Sequence, residues 1–308
     1  MRKADNIVKL EGMLSEVDLN YGKAKRTSAD RTYATDETII SGNIKVKTKE
    51  TINGIEKALE VVVPFFAYEL KRDGGPNPLF TNIEKIKDEF TSIAAGGVEK
   101  ADLVRIDYKG GSLEMNMYVN KNTGALVTYP RINALRISKV NPNAYYPTAS
   151  FDIQFYIHSM EQDVDAEGKP TGRFLIMGVV PQFGNRVDVM PFYVDDKSIA
   201  NLLQQNWKVG DTVQALGKLN FDRKTVIVKT EVDFGEPVQE VRTTQISEPI
   251  ITGGTLKPLE GDLAFSTTEI QEALARREAY IESMKERNLK ETGNTGQKST
   301  AASEFGFN

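Results

Sequence analysis

Apolar residues recur at every second position in short runs along most of the chain, and at helical spacing in three places. The clearest stretch is Phe174 to Phe221, which reads as strand, strand, short helix, strand. Residues 174–180 are uniformly apolar, as in a strand buried on both faces; Gly184-Asn185 supplies a turn, and 187–194 is a second run of β-branched and aromatic residues. Asp195-Asp196 cap a helix whose Ile199, Leu202, Leu203 and Trp207 share one side. Past a turn at Val209-Gly210-Asp211, Val213, Ala215, Leu219 and Phe221 alternate with Gln214, Lys218 and Asn220 as a half-buried strand. Upstream, Phe151, Ile153, Phe155 and Ile157 alternate with polar residues as a first strand. Downstream, beyond a turn at Asp222-Arg223, Val226, Val228 and Val232 form a fifth.

A helix between the third and fourth of five antiparallel strands is the element order of an OB-fold barrel. The N-terminal part repeats it. Val8, Leu10 and Leu14 mark a first strand, followed by a long polar loop, Asp18 to Glu37, which carries Tyr21, Lys23 and Arg26. The second strand turns Ile40, Ile44 and Val46 to one face and therefore Lys45, Lys47 and Lys49 to the other. In the third, Val62-Val63-Pro64-Phe65-Phe66 lines up with Val189-Met190-Pro191-Phe192-Tyr193 at an offset of 127 residues. A helix over about 82–93 follows, and Ala101-Asp102-Leu103-Val104 then matches Gly210-Asp211-Thr212-Val213 at an offset of 109. Five elements in one order, twice, indicate an internal repeat. Extra alternating runs at 113–119, 125–129 and 132–140 embellish the first copy with a sixth or seventh strand.

The expected fold is therefore mainly β: two OB-fold-like five-stranded antiparallel barrels in tandem, then an extended arm and a C-terminal helix with a disordered tail. The expected domains are 1–142, 148–235 and 236–308, with the prolines of 141–147 as a short stiff linker. Residues 236–265 have no sustained periodicity. Ser266-Thr267-Thr268-Glu269 is a capping box that opens a helix over about 267–290. Its apolar stripe of Ile270, Leu274, Ile281 and Met284 is narrow, so the helix docks on the body, meets a partner or frays.

Composition narrows the chemistry. The 308 residues include no cysteine and one histidine, His158, which excludes disulfides, thiolate chemistry and any site that needs two imidazoles. The longest apolar runs fall short of a membrane span and the N-terminus lacks a signal-peptide core, so the expected location is the cytoplasm, a host's if the chain is phage-encoded. Phosphate-loop, dinucleotide, nucleophile-elbow and H-E-x-x-H motifs are all missing from the sequence, and neither catalysis nor a cofactor is expected. Asp163-x-Asp165-x-Glu167-Gly168 begins like a calcium loop, but Phe174 stands where a bidentate glutamate is required, which leaves a solvated hairpin loop.

Net charge is −4, so a polyanion could be bound only where basic groups gather on one face. Single-stranded nucleic acid is held by a basic groove with rings on which bases stack. Both ingredients occur on the predicted outer faces. In the first barrel they are Lys23, Arg26, Lys45, Lys47 and Lys49 with Tyr21, Phe66 and Tyr68; in the second, Arg173, Arg186, Lys218 and Arg223 with Tyr156 and either Phe192 or Tyr193. Asp188 placed outward would turn Phe192 outward, whereas the repeat makes Tyr193 the counterpart of Phe66; a bulge at Pro64 and Pro191 would reconcile the two. Rings on barrel strands are ordinarily core, and lysines on exposed strands also block edge pairing. Their conjunction in a tandem barrel is what favours nucleic acid.

Trp207-Lys208-Val209-Gly210-Asp211-Thr212-Val213-Gln214-Ala215-Leu216-Gly217 and the paired V-x-P-F strings resemble bacteriophage single-stranded DNA-binding proteins built from OB-folds, over about residues 5–235. That resemblance implies a non-enzymatic coat for single-stranded DNA in replication or recombination. It also implies a C-terminal tail that recruits replication partners, here Phe305 and Phe307 in Glu304-Phe305-Gly306-Phe307. The competing expectation is a structural or protein-interaction module of the phage tail or baseplate kind, which near-neutral charge suits.

Overall fold

The structure, a computed structural model, describes residues 1–27, 34–52, 54–106, 110–121, 123–165, 167–230 and 238–296. The first unit comprises β1 (Asn6–Thr27), β2 (Ala34–Ile52), β3 (Ile55–Tyr68), α1 (Pro78–Glu89), α2 (Ile93–Gly96), β4 (Leu103–Ile106), β5 (Gly111–Val119), β6 (Leu126–Ala134) and β7 (Ile137–Lys139). The second comprises β8 (Thr148–Val164), β9 (Pro170–Pro181), β10 (Val187–Val194), α3 (Lys197–Asn206), β11 (Thr212–Thr230) and β12 (Val238–Gly254), after which comes α4 (Thr267–Gly296).

In the second unit β8, β9, β10, β12 and β11 pair in that order, and β11 returns to β8, which closes a five-stranded barrel. β10 and β12 are parallel, joined at Tyr193↔Ile250, and all the other pairs are antiparallel. With α3 between the third and fourth strands, this is the OB arrangement. Asp196 caps α3 by accepting from the backbone N–H groups of Ser198 and Ile199. The barrel core is aromatic: Phe155 and Phe192 stack at 4.5 Å, and Trp207 meets Phe155 edge-on at 6.2 Å. Gly178 makes that stack possible, because a Cβ there would lie 2.7 Å from the Phe155 ring and 2.8 Å from that of Phe192.

The first unit has the same strand order, β3-β2-β1-β4-β7, but among the described residues β3 and β7 do not pair. The β5–β6 hairpin is inserted between the fourth and fifth strands, which is the embellishment the alternating runs predicted. The free edge of β3 is met by the other unit, where the Glu60 backbone N–H donates to the Asp222 carboxylate. The repeat is visible in single atoms. Asp102 accepts the Thr91 N–H on its side chain at 2.7 Å and the Leu14 N–H on its carbonyl at 2.9 Å. Asp211 does the same for Lys208 at 2.7 Å and Ile157 at 2.9 Å.

Four expectations differ from the structure. The polar stretch 18–37 is no loop along most of its length, because β1 and β2 stay paired out to Thr27↔Ala34. A ribbon that leaves the core meets water on both faces, so it loses the apolar period that marks a strand while keeping its backbone ladder. Asp222-Arg223 is no turn either: β11 runs straight through it, and the fifth strand is β12. Of the residues predicted as that strand, Val226 and Val228 are in β11, and Val232 lies outside the described residues. The supposed arm therefore belongs to the barrel, whose second unit spans 148–254. Its Pro249, Ile250 and Ile251 are buried, a short piece too small to show as a period.

The fourth difference concerns the boundary. β1 pairs antiparallel with β8, from Asn6↔Ile153 to Glu11↔Thr148, so both units share one ten-stranded sheet. The linker is tied down across this seam: the buried Glu11 carboxylate accepts from the Tyr146 N–H at 2.6 Å and from Arg105 at 2.5 Å. A second buried carboxylate, Glu50, accepts from Thr148 and the Ala149 N–H and pairs with Lys218 at 2.8 Å. Helix α4 docks on the body through Ile270 and Ala273, beside a buried Phe265. No described helix is long and apolar enough to cross a membrane.

Candidate nucleic-acid interface

Residues directly opposite in antiparallel strands share a face. Across β2 and β3 this gives rows Ile39–Tyr68, Ser41–Phe66, Asn43–Pro64, Lys45–Val62 and Lys47–Glu60, all on the side away from the buried Ile40, Ile44, Val61 and Val63. Phe66 is 51% exposed and its ring meets Tyr68 edge-on at 5.2 Å. The Arg26 guanidinium lies 4.6 Å over Tyr68 and is held by Glu37 at 2.8 Å and the Leu70 carbonyl at 2.7 Å. Phe66, Tyr68, Arg26, Lys45, Lys47 and Lys49 thus share one surface. Tyr21 and Lys23 do not, since both face the helix side: Tyr21 donates to Glu84 at 3.0 Å beside Phe80, and Lys23 donates to Thr38 at 2.8 Å. Their odd-numbered parity on β1 aligns them with buried Ile40 rather than with Ser41.

Each lysine of the file faces a carboxylate from a neighbouring strand. Lys45 pairs with Glu16, Lys47 with Glu60 at 4.0 Å and Lys49 with Glu56 at 2.9 Å. The hydrogen bond that Lys49 donates to Glu56 raises the Lys49 pKa. The side chains of Lys47 and Lys49 remain 57% and 61% exposed. Pairs as open as these are screened by water and weak, so an incoming phosphate competes with the carboxylate on nearly equal terms.

Beyond Pro64 the face deepens into a trough of 370 Å³ lined by Asn43, Val62, Pro64, Tyr129, Arg131, Arg223 and Gln245. Three hairpins meet there: β2–β3 supplies the floor, β6 supplies Tyr129 and Arg131, and the β11–β12 ribbon supplies the facing pair Arg223↔Gln245. Arg131 is bound side-on by Glu114, at 2.8 and 2.5 Å. Arg223 has no carboxylate partner among the described residues.

Among its described residues the second barrel forms no matching groove. Phe192 and Tyr156 are core residues, 0% and 8% exposed. Tyr193 is the outward ring, as the repeat alignment required. No bulge is involved, since the β9–β10 register is unbroken and Asp188 points inward with Met190 and Phe192, half-buried and accepting from the Met115 N–H. Arg173 stacks 4.2 Å over Tyr193 but is pinned by Asp195 at 2.6 Å and Glu248 at 2.9 Å. Burial opposes its charge, and the bonds to Glu248 and Asp195 outweigh burial and hold its pKa up. Lys218 is committed to the buried Glu50. Arg186 sits on the β9–β10 turn, donating to the Phe183 carbonyl, and Arg223 has crossed to the first unit's trough. A cation in each of four places cannot track one backbone.

The family model YorF matches residues 4–287. The chain belongs to the YorF family. No curated protein sequence matches it. Among solved structures, the wild-type single-stranded DNA binding protein from Thermus aquaticus aligns with a TM-score of 0.49 at 11% identity, covering 87% of this chain and 99% of that one. A deletion mutant of the same protein gives 0.47 at 13% identity, with the same coverage of both chains.

Of the trough's lining in this YorF-family chain only Arg223 was an expected site residue; Asn43, Val62, Pro64, Tyr129, Arg131 and Gln245 were not. The alternation around Tyr129-Pro130-Arg131 marks a strand, but nothing local says that β6 folds back beside β3. Phe305 and Phe307 lie outside the described residues of this YorF-family chain.

Proposed function

We propose that the chain is a non-enzymatic binder of single-stranded DNA, sequence-tolerant, with its contact surface on the β2–β3 face and trough of the first unit. The resemblance to phage proteins supports a role in phage replication or recombination. The observation that carries the reading is the single surface that joins an exposed ring, Phe66, to Lys45, Lys47 and Lys49 and then to Arg223 and Tyr129. Bases stack on Phe66 and Tyr129 at about 1–3 kcal/mol each, while phosphates displace carboxylates from the exposed lysines.

The test is anisotropy of a labelled oligo(dT) at two salt concentrations. Trp207 is buried and donates to the Thr255 carbonyl, so its fluorescence is the wrong reporter. Binding that weakens with salt, and a loss of about 5- to 150-fold on Phe66→Ala, are expected. A chain that leaves oligo(dT) tumbling freely in low salt would falsify the proposal. The lysine–carboxylate ladder favours one other reading, an interaction module whose strands are kept from edge pairing. It predicts that same silence towards DNA together with a stoichiometric protein assembly in light scattering.

A further inference from the structure

The trough does not end at Arg131. Tyr129, Arg131, Asn133 and Leu135 stand at alternate positions from β6 onward, and the last three also line a larger cleft of 630 Å³ between β5–β6, the β9–β10 turn and α4. Arg131 borders both spaces. At about 3.4 Å per residue, Tyr129 to Leu135 spans about 20 Å of continuous floor. The cleft brings together Lys3, Arg131, Arg186, Arg276 and Arg277 against two carboxylates, Glu114 and Asp188. Glu114 is already engaged by Arg131, and Asp188 is half-buried and accepts from the Met115 N–H and Gln182. The Arg277 Nε is buried and has no hydrogen-bond partner. On the rim stand two exposed rings, Phe183 at 81% and Tyr280 at 53%. Excess cations, exposed rings and one orphaned guanidinium nitrogen are the features of a surface that holds phosphates and bases.

We infer that the nucleic-acid path turns at Arg131 and continues along β6 into this cleft, so that α4 and the β9–β10 turn form its second half. The inference rests on the single-strand reading above. It assigns α4 a role in holding DNA, with Arg186, Arg276 and Arg277 on phosphates and Phe183 and Tyr280 on bases.

The experiment compares oligo(dT) of about 8 and about 20 nucleotides, within and beyond what one OB unit's typical site accommodates. The variant is Phe183→Ala/Arg186→Gln/Arg276→Gln in the full chain, all at exposed positions. The short strand should bind the variant within about twofold of the unaltered protein, while the long strand loses about tenfold or more. Its salt slope should fall by about 1.4, or 0.7 for each lost phosphate contact. Equal affinity and equal slope on the long strand would overturn the path while Phe66→Ala still weakens both lengths, leaving the first-unit site intact. Absence of binding by the unaltered protein at either length removes both readings together.

Discussion

Two neighbouring rings on each third strand have opposite fates, and one position in the pleat decides them. Phe65 and Phe192 are sealed in their barrels; Phe66 and Tyr193 face out, the first 51% exposed and the second covered by Arg173. The same backbone pattern therefore offers a platform in one copy and a capped ring in the other. The difference lies in Glu248 and Asp195, which draw the guanidinium across the ring. Asp188 is another residue whose setting sets its chemistry. Burial, with the charge of Glu114, pushes its pKa above the usual carboxylate range against the hydrogen bonds from Met115 and Gln182 and the charge of Arg186. The native state then keeps this proton to higher pH than the unfolded chain does. Stability is lost as pH rises from the unfolded value of about 3.9 through the raised native one, and the deficit persists at neutral pH. Asp188→Asn retains one oxygen for both donors, which already share Oδ2. It should raise Tm at pH 7 and lose that advantage towards pH 4; an unchanged or lowered Tm at pH 7 contradicts this account.

At the scale of elements, the long ribbons position the site. β11 and β12 stay paired far beyond the barrel, which carries Arg223 and Gln245 over the first unit's strands. The seam between units depends on Glu50. Its carboxylate receives Lys218, the Thr148 hydroxyl and the Ala149 N–H, so truncation strands a cation and a buried donor together. Breaking a buried pair costs about 3–5 kcal/mol; with Lys218 partly in water, about 2–3 kcal/mol is expected for Glu50→Ala. Urea unfolding gives the value directly, and a cost below about 0.5 kcal/mol, typical of an uninvolved surface change, would mean the carboxylate holds nothing together.

For the whole molecule, a sheet shared through β1 and β8 makes the two units one folding body. Tandem barrels on a flexible tether would melt separately. Here calorimetry should show one transition with matching calorimetric and van't Hoff enthalpies; two resolved transitions would contradict a cooperative seam. Net charge of −4 acts at this scale too, because affinity for a polyanion must come from local surfaces and must fall steeply with salt.

Much of this was legible in the chain itself. Alternation in 151–157, the short apolar runs 174–180 and 187–194, the Asp196 cap and the V-x-P-F repeat specify strands, helix and barrel order, because they are local patterns that any short window contains. Strand parity likewise determined that Lys45, Lys47, Lys49 and Phe66 share a face. Tertiary structure alone decided which carboxylate meets each lysine, that β12 rather than 226–232 closes the barrel, and that Arg223, Tyr129 and Arg131 converge. Those facts depend on contacts between residues as far apart in the chain as Glu60 and Asp222, 162 positions, and a local period carries no information about what a strand's other edge will meet.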